Sequence, residues 1–169
     1  RSRVNGFLPV PGWTGEHEWE GWIPFEELPR SRNPETGFIV TANNRIVGDD
    51  YPYYVATEWS PGNRAERIIT RLKAMPQASI EDMPSIHADK ISIPSQVYLK
   101  QLDTLGDLDE RSARATDLLR AWDGAMLSES APAAIYAVWR EMTLRHVLNE
   151  GPLYALATGS TAWMPTVLA

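Results

Sequence analysis

The chain has 169 residues, a formal net charge of −6 and no cysteine, with 43% hydrophobic and 22% charged residues. This is the composition of a globular protein rather than a disordered one, and the length supports one sizeable core. It excludes disulfide and thiolate chemistry. It offers no basic stripe for nucleic acid and no apolar run of about 18 residues to span a membrane.

Residues 1–61 are rich in Pro, Gly and Trp and carry short apolar runs such as Gly6 to Gly12 and Gly37 to Ala42. This punctuation favours short strands and turns over helices. The run ending at Ala42 delivers Asn43 and Asn44 to a point where a sheet would stop, a place suited to an oxyanion-stabilising amide. The competing reading of the pair is a turn, because asparagine tolerates left-handed backbone. Trp13, Trp19, Trp22 and Trp59 either line an acyl or carbohydrate site or fill a small core, and core burial is the favoured reading.

Residues 62–150 read as helical. Pro61 to Arg64 forms a turn into a helix beginning near Arg64, with Ile68, Leu72 and Met75 at helical spacing. Ser79 with Glu81 and Asp82 marks a helix start, and Pro94 opens or precedes a helix with Val97, Leu99 and Leu102. Ala115, Leu118, Leu119 and Trp122 form the stripe of a helix over 109–123 that Gly124 could end. Ile135, Val138, Trp139 and Met142 form the stripe of the next, with His146 on the same face as a packed histidine. The tail 151–169 is ambiguous. The sum is an α+β chain: a β-rich first third followed by a helical cluster.

His17, His87 and His146 show no metal-ligand spacing. His87 with Asp89 is either a base with its orienting carboxylate or a polar helix end, the latter favoured. The acid pairs Glu16/Glu18, Glu26/Glu27, Asp49/Asp50 and Asp109/Glu110 read as solvated surface. There is no Gly-x-Ser-x-Gly elbow.

An ordered set of words changes the weight on Asn43. Leu8 to Gly12, Trp19 to Phe25, Asn33-Pro34, Gly37-Phe38-Ile39, Ala42-Asn43-Asn44, Asp50-Tyr51-Pro52, Arg64 to Arg71 and Trp122-Asp123-Gly124 follow one another across nearly the whole chain. In order and spacing they resemble the β-chain of the penicillin acylase family of N-terminal-nucleophile amidohydrolases. The resemblance implies an αββα sandwich, two stacked sheets between helical layers, to which this chain contributes a part. It implies a precursor that cuts itself into α- and β-chains and exposes a serine whose own α-amine is the base.

This chain starts Arg1-Ser2-Arg3, and Ser2 does not match the nucleophile. The expectation is an internal piece of the β-chain, not active by itself, whose partners are the rest of the same precursor and a small acyl-amide substrate. By the resemblance, Asn43 is the oxyanion donor, and Arg64 positions it and influences the amine's pKa; Arg67 is the weaker match. No cofactor is implied. Structural calcium is known in the family, but the acidic position after Pro52 falls in Tyr53-Tyr54-Val55, with Glu58 only a remote substitute. The resemblance alone suggests export to the periplasm or beyond. The alternative is a non-catalytic, Trp-rich binding or interaction domain.

Overall fold

The computed structural model describes residues 9–148, so the expectations for the first eight residues and for the tail 151–169 lie outside the described residues. The chain divides into two units, 1–65 and 66–169. The helices are α1 (Asn63–Lys73), α2 (Met83–His87), α3 (Ser95–Gln101), α4 (Glu110–Arg120) and α5 (Ala131–Leu148). Short 3-10 turns occupy Phe25–Glu27, Ile80–Asp82 and Leu102–Thr104.

The first unit departs from the expected strands. Among the described residues there is no strand, and the one β-bridge joins Ile91 to Ala125 in the other unit. The Gly37 to Ala42 run is irregular. A strand exists only through a ladder with a neighbour, and no described segment pairs with this run. Its entry is instead a turn: Gly37 N–H donates to Pro34 O at 2.9 Å, and Asn33 and Gly37 take positive φ values of 47° and 76°. The tryptophans depart too. Trp13, Trp19 and Trp22 are 87%, 82% and 98% exposed, so they fill no core within this unit, and Trp59 is half-buried.

Side-chain hydrogen bonds mark the starts of α4 and α5 and the turn before α2. Ser79 and Asp82 form a reciprocal capping box over the 3-10 turn that leads into α2. Asp109 accepts the Ser112 N–H at 2.9 Å to start α4, and Ser130 Oγ accepts the Ala133 N–H at 3.3 Å in the first turn of α5. Pro94 precedes α3 as its cap residue. Helix α4 ends at Arg120, short of Gly124. Gly124 instead takes φ 87° in the turn that follows, where Asp123 accepts the Ala125 N–H at 2.9 Å and Gly124 O accepts the Ser92 N–H at 2.9 Å.

The core is aromatic. Tyr98, Leu102, Leu119, Trp122, Ala133, Tyr136 and Leu144 are buried together, where α4 packs on α5 and α3 supplies Tyr98. Tyr98 meets Tyr136 and Trp139 edge to face, with centroids 5.3 and 5.0 Å apart. On α5 the inward face is set by Ala133, Tyr136 and Leu144, with Ile135 and Trp139 of the expected stripe packed against the same core at its edge. Advancing about 100° per residue from that face leaves Val138 and Met142 on the opposite side, and His146 is likewise exposed rather than packed.

Asp89 holds the second unit's polar centre. Its side chain is 9% exposed and accepts from Arg67 Nε and Nη2 at 2.8 and 2.7 Å and from the Ile91 N–H at 3.1 Å, with Arg71 Nε 3.7 Å away. The bidentate Arg67 contact holds the Asp89 carboxyl below the usual carboxylate range.

Two stability outcomes follow. The Tyr98 hydroxyl is buried without a hydrogen-bond partner among the described residues, and burial pushes its pKa up to about 12. Tyr98→Phe removes only that unpaired group, so the unfolding free energy from its urea melt should match or exceed that of the parent chain by up to about 1 kcal/mol. Asp89→Asn leaves two arginines facing a neutral amide and should cost about 2 kcal/mol. Because the Asp89 pKa is lowered on folding, its contribution is complete above the unfolded carboxylate range and is lost as pH falls through the folded value. The gap between parent and Asp89→Asn in urea melts should therefore close below about pH 4.

Candidate oxyanion site

The site lies in the first unit, where Ala42-Asn43-Asn44 meets the start of α1. Asn43 takes φ 61°, the left-handed region that asparagine accepts more readily than most residues. The turn reading and the donor reading of the asparagine pair thus describe one geometry. The left-handed residue puts the Asn43 amide at the apex of the loop, and Asn43 is exposed there.

Three hydrogen bonds fix that apex. Arg64 Nη2 donates to Ala42 O at 2.8 Å and to Asn43 Oδ1 at 2.5 Å, and the Ser60 N–H donates to Asn43 O at 2.8 Å. Asn44 adds a fourth contact, its Oδ1 accepting the Ala42 N–H at 2.9 Å. Arginine has five donors and no acceptor, so the Asn43 atom facing it must be the carbonyl oxygen. The orientation of the amide is therefore decided by chemistry. Its NH2 group, which carries both donors, is directed away from the guanidinium. The cation also draws electron density toward Oδ1, which makes the NH2 a better donor to a developing negative charge.

Asn43 and Arg64 are thus brought together. The other candidates are not. Asp89 is engaged by Arg67, which leaves His87 exposed without that carboxylate as an orienter. Glu27 accepts from the hydroxyls of Tyr51 and Tyr53, through its backbone oxygen and its carboxylate respectively, and the carboxylate contact raises the Tyr53 pKa. Asp49 pairs with Arg45, and Asp109 caps α4. Among the described residues no three His, Asp or Glu side chains converge to hold a metal ion. No helix of the described residues is long and apolar enough to cross a membrane. The supporting roles of Ala42 and Ser60 went unread in the sequence, since they act through backbone groups that no motif displays.

The chain belongs to the penicillin amidase family, whose model matches residues 1–167. It is 47% identical to the penicillin acylase 2 proenzyme of Pseudomonas sp. strain SE83 over 150 residues, which cover 87% of this chain and 19% of that protein. It is 30% identical to an acyl-homoserine lactone acylase of Pseudomonas syringae pv. tomato over 182 aligned positions, covering 99% of this chain and 22% of the relative. With the penicillin G acylase of Escherichia coli it shares 28% identity over 156 residues, 83% of this chain and 18% of that one. The chain thus spans about a fifth of the length of these relatives.

If Arg64 orients the Asn43 amide, Arg64→Ala should release it. The two Asn43 side-chain NH2 resonances should then collapse toward the shifts of a freely rotating amide while the Tyr98 and Trp122 core resonances stay in place. Unmoved Asn43 resonances would show that another group holds the amide.

Proposed function

We propose that the complete protein hydrolyses an acyl-amide bond, with Asn43 as the donor to the tetrahedral oxyanion and Arg64 as the residue that aims it. The observation that carries this reading is the 2.5 Å hydrogen bond from Arg64 Nη2 to Asn43 Oδ1, which presents the NH2 face outward. Family membership supplies the rest of the machinery as an expectation: a serine at a new N-terminus, outside this chain, attacks the substrate carbonyl. Its α-amine, with a pKa of about 7.7–8.0, takes the hydroxyl proton. As the Ser Oγ–C bond forms, the carbonyl oxygen gains negative charge. A neutral donor already fixed in place stabilises that charge without reorganising at the moment of reaction.

Two classes of acylase among the relatives, acting on penicillins and on acyl-homoserine lactones by name, support an acyl amide as the substrate class. Penicillin, cephalosporin and acyl-homoserine-lactone types all fit it. The rest of the same precursor is the proposed partner, and its packing accounts for the exposed apolar residues of the first unit. An exported, periplasmic or secreted protein that uses no cofactor completes the reading.

A second reading rests on one observation, the exposure of Trp13, Trp19 and Trp22. It makes the chain a Trp-rich binding domain that has kept only the scaffold.

One experiment on the full-length protein decides between them. The acylase reading predicts two chains by intact mass, the larger beginning at a serine upstream of Arg1. It also predicts that Asn43→Asp lowers kcat by about 10²–10³ with little change in melting temperature. Aspartate keeps the left-handed turn and an acceptor for Arg64 but has no NH2 to donate. A single uncut chain, inactive yet showing saturable quenching of Trp fluorescence by saccharides or aromatic acids, would replace this reading with the second.

A further inference from the structure

We infer that Asn44 is a positioning residue for the oxyanion donor, acting through the backbone of Ala42. The inference rests on the reading of Asn43 given above. Asn44 reaches back across Asn43: its Oδ1 accepts the Ala42 N–H at 2.9 Å, and its Nδ2 donates to Arg45 O at 3.0 Å. Ala42 is 8% exposed, so its backbone groups depend on protein partners rather than on water.

Those groups are both used. The Ala42 N–H goes to Asn44, and the Ala42 carbonyl goes to Arg64 Nη2 at 2.8 Å, the same nitrogen that holds Asn43 Oδ1. Ala42 is therefore the hub between the two side chains. If its N–H is released, the Thr41–Ala42 peptide is free to turn, the torsions at Ala42 that aim its carbonyl in the following peptide loosen with it, and one of the two acceptors shared by Arg64 Nη2 is displaced. The Asn43 amide then loses its fixed direction although the substitution changes none of its own atoms.

The asparagine pair divides the work. Asn43 is exposed and offers its amide outward, whereas Asn44 is half-buried and turned onto the backbone. A local side-chain-to-backbone bond of this kind holds a non-helical turn against the alternatives open to the chain. The oxyanion donor must be held within a fraction of an ångström, because a misplacement of about 1 Å costs about 10²-fold in rate.

The test uses the full-length protein and two substitutions. Asn44→Ala removes the acceptor for the Ala42 N–H. It should lower kcat by about 10- to 100-fold while KM stays within about twofold. Asn44→Asp keeps an acceptor for the same N–H and should recover most of that loss. The Asn43 side-chain NH2 resonances should shift in Asn44→Ala and return in Asn44→Asp. An unchanged kcat in Asn44→Ala overturns the inference, as does a loss in both variants that tracks a falling melting temperature. Asn43→Asp keeps the two claims apart. If it abolishes turnover while Asn44→Ala does not, only the role of Asn44 fails. If Asn43→Asp is itself harmless, the oxyanion reading fails first.

Discussion

The asparagine loop depends on a guanidinium that can only donate. Arg64 stands second in α1, and its Nη2 reaches both Ala42 O and Asn43 Oδ1. A cation in the first turn of a helix opposes the helix dipole, which favours acids there and bases in the last turn. The same helix obeys that rule elsewhere, with Glu66 in its first turn and Arg71 and Lys73 in its last. A residue placed against the local electrostatic preference is one whose contacts matter more than its propensity. Here those contacts are two acceptors of the asparagine loop, and they determine which side of the Asn43 amide faces away from the guanidinium.

Other polar contacts in the chain are of a different kind. Arg67 on α1 also makes a strong contact, but its partner is a carboxylate that is almost buried, and the pair is closed by Arg71 and the Ile91 N–H. The Asp89 carboxylate has no donor of its own, so the pair leaves no amide facing outward. Arg64 instead faces a neutral amide that retains two donors. The two arginines on one helix thus differ in the number of donors that each partner keeps after pairing.

Helix placement was largely legible in the sequence because its signals are local. Pro94, Ser79 with Asp82, and the turn into Arg64 each name an end through side-chain or ring chemistry close by. The expected strand through Gly37 to Ala42 was not recovered among the described residues, because a strand is a property of two segments and this one has no described partner. The tryptophans were misread for a related reason: burial depends on what surrounds a side chain, and the chain spans about a fifth of its relatives' length. The stripe expected on α5 held in part: Ile135 and Trp139 pack against the core while Val138 and Met142 are exposed, because helical spacing alone does not say which neighbouring row the core covers. For the site, the asparagine pair and Arg64 were visible as residues. Their shared hub at Ala42 was not, since it is made of backbone groups.

The most direct measurement is a crystal structure of the processed, full-length protein carrying a transition-state analogue whose tetrahedral oxygen mimics the oxyanion. Asn43 Nδ2 should lie about 2.7–3.1 Å from that oxygen, with Oδ1 still on Arg64 Nη2. An oxyanion held by other donors, with the Asn43 amide turned away from it, would contradict the central claim.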